Sequence, residues 1–187
     1  MNMKRILATL LLLMLPFLAA AQSAFDARIG GNFYRYERAY LSTGFTYLLT
    51  LEEGMEANVG GDFGISTRRE DGEIEPSFLV PANLGLNFTF PREAVNFYVG
   101  FGLTPVFAFN PEPDTDFSFL MGPYGKTGLR VRVHPIMSWF LEYQQDLLIG
   151  GEQWINTSTR LNTGIHFSFN PESYPPARSE VQTGSQP

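Results

Sequence analysis

The stretch Arg160-Leu161-Asn162-Thr163-Gly164-Ile165-His166-Phe167-Ser168-Phe169 decides the fold. Leu161, Thr163, Ile165, Phe167 and Phe169 fall on one side of an extended chain, and Arg160, Asn162, Gly164, His166 and Ser168 fall on the other. Strict alternation of this kind marks a β-strand with one apolar and one polar face. The pattern recurs back to Ala24, and the aromatic-rich row is always the apolar one. A soluble barrel turns its apolar row inward. Here that choice would wrap the core in bare charges and glycines, so the apolar row is expected to face outward.

Composition narrows the setting. The chain of 187 residues suits one domain. Residues 1–21 read as a secretory signal, with Lys4 and Arg5 at the charged start, an apolar stretch from Ile6 to Leu18, and Ala19-Ala20-Ala21 before Gln22. That apolar stretch is shorter than the roughly 20 residues a membrane helix needs. The absence of cysteine excludes a disulfide framework, thiolate chemistry and a lipid-anchored N-terminus, and a bacterial envelope protein is the natural inference. The net charge of −6 comes without a basic stripe, which argues against nucleic-acid binding. Aromatic residues make up 14% of the chain and charged residues 17%, a balance that suits one face in lipid.

Eight strands are expected, near residues 24–36, 39–51, 55–66, 78–90, 95–109, 119–133, 138–149 and 157–169. Glu52-Glu53-Gly54, Pro91-Arg92-Glu93-Ala94 and His134-Pro135-Ile136-Met137 read as tight turns. Longer polar loops are expected at 67–77, 110–118 and 150–156, while the first connection, around Glu37, is short where a long loop is due. Short turns at one end and longer loops at the other is the outer-membrane barrel pattern, with the turns in the periplasm. An even strand count leaves both termini periplasmic. Residues 170–187, rich in Pro, Ser, Glu and Gln, read as a disordered periplasmic tail.

Aromatic residues gather at strand ends in two expected girdles. Phe25, Phe88, Phe90, Phe97, Trp139, Phe167 and Phe169 lie toward the turns, and Phe33, Phe63, Phe78, Phe107 and Phe109 toward the loops. Pro81, Pro105 and Pro123 lack a ladder donor. They are expected where a spanning strand leaves the hydrocarbon and water can satisfy orphaned carbonyls, or at β-bulges.

On these features the chain, over about residues 24–169, resembles the small eight-stranded outer-membrane barrels of the OmpA/OmpX type. The resemblance implies an all-β, antiparallel, up-and-down transmembrane barrel occupying residues 22–169, in contact with outer-membrane lipid. It also implies that the last strand, through Ile165, Phe167 and Phe169, is read by the barrel assembly machinery. Phe169 departs from that pattern in being followed by a tail, which is too short for a peptidoglycan-binding domain.

The inward row carries Asp26, Arg28, Glu56, Asp62, Lys126, Arg130, Arg132, Glu142, Asp146, Arg160 and His166. A barrel of about eight strands is only wide enough for side chains to fill. Charges packed that tightly must pair, so a salt-bridged structural core is expected, with a narrow ion path as the alternative. Gly60, Gly64, Gly85, Gly100, Gly102, Gly128 and Gly164 also face inward, either making room for large side chains or leaving a watery thread.

Enzyme signatures are weak. His166-x-Ser168 resembles the histidine–serine pair of outer-membrane lipid A deacylases, yet both residues take the lumen side and no flanking motif matches. His134 reads as a turn residue, and Asp114-x-Asp116 lacks the further oxygen ligands a cation site needs. No catalytic residue, cofactor or metal is expected. The expected role is structural or adhesive, by a monomer that meets an extracellular ligand through its loops. Trp154 is the expected anchor there, since exposed tryptophan is enriched at binding hot spots.

Overall fold

The computed structural model describes residues 23–70, 73–92, 94–112, 115–151 and 154–169. They form eight strands: β1 (Ser23–Tyr34), β2 (Arg38–Glu52), β3 (Met55–Glu70), β4 (Glu73–Arg92), β5 (Val95–Glu112), β6 (Thr115–His134), β7 (Met137–Ile149) and β8 (Ile155–Ser168). Each strand pairs antiparallel with the next, and β8 closes on β1, so the sheet has no free edge. Closure satisfies the backbone within the sheet, as a strand structure surrounded by lipid requires. The signal and tail segments lie outside the described residues.

Register fixes the barrel's shape. A walk across paired residues runs from Ala24 to Leu48, Asn58, Gly85, Gly102, Tyr124, Asp146 and Ser158, and returns to β1 at Tyr34 instead of Ala24. That stagger of ten residues on eight strands corresponds to a strand tilt of about 40° and a backbone radius of about 8 Å. A cylinder this narrow holds side chains and little else.

Burial runs opposite to that of a soluble protein. Arg160 is 0% exposed and Arg130 1%, whereas Leu84 is 63%, Leu41 65% and Phe101 56% exposed. The outward row is therefore the apolar one on every strand. Neighbouring rings on this outer wall pair across strands, with Phe107 5.3 Å from Phe119 and Phe109 5.4 Å from Phe117 near the loop end. A continuous apolar exterior far exceeds the patch a water-soluble monomer exposes.

Two expected loops prove to be mostly strand. β3 continues to Glu70 and β4 begins at Glu73, while β5 continues to Glu112 and β6 begins at Thr115. The residues of 67–77 pair across as Thr67 with Pro76, Arg68 with Glu75 and Glu70 with Glu73. Polarity alone does not end a strand, because backbone groups make the ladder. β4 and β6, at 20 residues, consequently stand well above β1, at 12. Gly150, Gly151 and Trp154, the described residues between Ile149 and Ile155, lie outside the strands.

Pro81, Pro105 and Pro123 do not mark bulges. Pairing lapses beside Pro81, Pro105 and Pro123 and resumes in the same register on the far side. Water is not needed opposite Pro105 either. The carbonyl of Ala82, which stands across from it, accepts a hydrogen bond from Thr104 Oγ1 at 2.7 Å.

Candidate functional site

The lumen is the chemically richest part of the molecule, and every strand supplies it through its inward row. At mid-height Arg160, on β8, donates from Nε to Asp146 Oδ2 at 3.0 Å and from Nη2 to Asp146 Oδ1 at 2.8 Å. Its Nη1 reaches Asp62 Oδ2 at 3.1 Å, and its Nη2 also reaches Asn83 and Thr104. Asp62 is shared with Arg28, whose Nε lies 2.5 Å from Oδ1. Arg28 Nη1 then approaches Glu142 at 3.4 Å, and Glu142 binds Lys126 at 3.0 Å. Tyr98 donates to Glu142 at 2.9 Å. One continuous network thus crosses the barrel.

Nearer the short turns Arg130 forms a two-pronged pair with Glu56, at 2.9 and 3.0 Å. Its guanidinium also lies over the Tyr98 ring, 4.7 Å from the centroid, where a cation is attracted to the ring face. His166 Nδ1 meets Asp26 Oδ1 at 2.6 Å. Buried charges need this kind of pairing, because removing one partner strands the other in a dry interior. Arg132, another of the expected lumen charges, pairs with the inward-facing Ser138 and sits half-buried at the rim beside the turn.

The glycines make room. A Cβ on Gly128 would lie 2.5 Å from Tyr98 Cζ and Oη, and one on Gly102 would lie 2.8 Å from Tyr124 Cε1. Tyr124 in turn donates to Asn58 at 2.9 Å. These two positions trade side-chain volume for a large ring opposite.

An apolar layer that the sequence reading missed closes the loop end of the lumen. Tyr34, Tyr40, Leu79, Val106, Ala108, Leu120 and Leu148 form one cluster, each 0–3% exposed. Tyr40 Oη finds Ser77 Oγ at 2.9 Å, so the ring's polar end is satisfied within the seal. The signal was available: Leu79, Val106, Leu120 and Leu148 are apolar residues at inward positions near the loop ends of four strands. Period-2 reading sorts residues by face and gives no weight to such exceptions.

Other singled-out residues are spread apart. His166 is committed to Asp26 and Ser168 is half-buried at the end of β8. Among the described residues no group of acids and histidines is placed to hold a metal ion; Asp114 lies outside them. Trp154 is 74% exposed in the β7–β8 connection, where its carbonyl accepts from Gly150 N at 3.3 Å. Phe169 is 66% exposed at the short-turn end, with its backbone N donating to Ser23 O at 3.0 Å.

No protein-family model matches the sequence, and no curated protein matches it. Solved structures do. The chain superposes on neisserial surface protein A with a TM-score of 0.64 at 16% identity, covering 80% of this chain and 97% of that one. It superposes on the N-terminal β-barrel domain of Pseudomonas aeruginosa OprF with a TM-score of 0.51 at 16% identity, covering 79% and 99%. The fold is that of the small eight-stranded outer-membrane barrels.

Proposed function

We propose that the protein is a monomeric integral barrel of a bacterial outer membrane, with a closed lumen and a structural or adhesive role exercised at its loop end. The observation that carries this reading is the stacking of an apolar layer, 0–3% exposed, on a lumen filled by charge-paired side chains. A solute crossing the barrel would have to break buried ion pairs and then pass a layer built mainly of apolar side chains. With the lumen closed, the accessible chemistry lies at the two rims, and loops on a rigid scaffold commonly carry function.

In this reading the apolar exterior faces lipid, the short turns and both termini face the periplasm, and the barrel assembly machinery reads the last strand through Ile165, Phe167 and Phe169. Trp154 anchors an extracellular ligand. Surface proteolysis of intact cells tests the orientation: cleavage within 67–77, 110–118 and 150–156 is expected, and cleavage confined to the short turns would invert the topology. Planar-bilayer recording tests the closed lumen. Silence or rare small openings are expected, and large steady channels that pass sugars would establish a porin instead.

A further inference from the structure

The ring of strands closes only as high as its shorter members reach. β7 ends at Ile149, which pairs with Met121 of β6. Above that level the residues of β6 from Phe117 to Leu120 pair with β5 alone among the described residues. β7 stops there because Gly150 and Gly151 take φ of 126° and 73°, a conformation open to glycine, and lead the chain off the sheet. The departure is close-set: a Cβ on Gly150 would lie 2.7 Å from Phe119 O.

The direction of the backbone groups follows from parity. Arg132 N donates to Ala94 O at 2.9 Å, so Arg132 faces the β5 side. Successive residues of a strand turn their N–H and C=O to opposite neighbours, and the β5–β6 register runs unbroken from Val131 to Phe117. Phe119 and Phe117 therefore aim their backbone groups away from β5, over the end of β7. Pro123 shares that parity, and pairing lapses beside it toward β7 but not toward β5.

Exposed edges are commonly blunted by charge or proline. β3, whose residues from Thr67 to Glu70 pair with β4 alone, carries Arg68 and Arg69 there. The β6 stretch Phe117-Ser118-Phe119-Leu120 has neither charge nor proline. Its two exposed rings stack beside Phe109 and Phe107 on the outer face. By the register, Phe119 and Phe117 stand about 28 and 33 Å above the level of Ala24, beyond the roughly 25 Å that a lipid-facing band covers.

We propose that this edge takes an extended segment of an extracellular partner protein as an added strand. The backbone groups of Phe117 and Phe119 supply the ladder, which gives such docking its affinity. Apolar side chains at alternate positions of the segment lie along the paired rings, and the exposed Asp116 beside the edge favours a basic residue at the segment's end. A second copy of the chain does not fit. Two barrels upright in one membrane cross their facing strands at about 80°, twice the strand tilt, so neither continues the other's ladder. The proposal names a partner for the loop end and rests on the membrane reading above.

The test uses the folded protein in detergent micelles, with folding scored by heat-modifiable gel migration. The probe is a short peptide of alternating valine and threonine with a lysine at each end, and its control is the same peptide N-methylated at every residue. Saturable binding of the unmodified peptide is expected, with slowed amide exchange at Phe117 and Phe119 by NMR. N-methylation should weaken binding about tenfold, the loss of one or two hydrogen bonds. Phe117→Pro with Phe119→Pro, which removes the donors from the barrel side and spares the ladder to β5, should do the same. Phe117→Thr with Phe119→Thr, which keeps the donors, should lose less. No saturable binding, equal binding of the N-methylated peptide, slowed exchange elsewhere instead, or a dimer cross-linked through position 117 would overturn the site and leave the barrel reading standing. A chain that is folded and monodisperse without detergent would overturn both.

Discussion

Arg160 grips both carboxylate oxygens of Asp146, on the adjacent strand, at 2.8 and 3.0 Å, while its other terminal nitrogen holds Asp62 across the barrel. The arginine has no solvent exposure, so the cation exchanges its water shell for two carboxylates, an amide and a hydroxyl. Breaking such a pair from one side leaves an uncompensated buried charge. Asp146→Ala should therefore lower stability by about 3–5 kcal/mol, and Arg160→Met with Asp146→Leu should recover much of the loss. Urea unfolding in micelles reads both, and equal stability of the two variants would show that pairing is not what holds the lumen.

The apolar seal makes a separate prediction about conductance. Leu79→Ser with Leu120→Ser replaces two fully covered apolar side chains at the loop end by small polar ones. Openings in planar bilayers should become more frequent than in the wild type. If the double variant stays as silent as the parent, the charge network alone blocks the path and the seal is dispensable.

Lipid-facing positions should resist charge. Leu84 stands outward at 63% exposure near the middle of β4, and Val99 outward at 46% nearer the short-turn end of β5. Arg at Leu84 is expected to cost about 2–4 kcal/mol if the wall lies in hydrocarbon, and Arg at Val99 less. Refolding equilibria into phospholipid vesicles measure this, and a neutral effect at both sites would place the wall in water.

Phe169 leads to a prediction about assembly. It ends the alternating row of β8, and its backbone is tied to Ser23. Removal of residues 170–187 should leave membrane insertion intact, while Phe169→Ala should slow it in cells. Outer-membrane fractionation after pulse labelling distinguishes the two, and the opposite outcome would shift the assembly signal into the tail.

The rows of alternating residues made the strands, their number and their outward faces legible, because side-chain direction in a strand depends only on parity. The same parity placed Arg28, Glu142, Arg160 and the other charges inside. It could not say that Thr67 to Pro76 would pair as strand, since a charged hairpin and a polar loop share one composition. Nor could it say that Arg132, of the same inward parity, would sit half-buried at the rim.

What only closure decided is which side chain meets which. Arg28 and Glu142 are 114 residues apart, Asp26 and His166 140, and Tyr36 and Gln145 109. Their meetings follow from the ten-residue stagger that carries Ala24 round to Tyr34. The apolar seal has the same origin: β1, β2, β4, β5, β6 and β7 each bring an inward apolar residue to one level. Period and polarity are local properties of the chain and fix the face of each residue. Height in the barrel depends on the sum of all eight registers, which no single stretch of sequence contains.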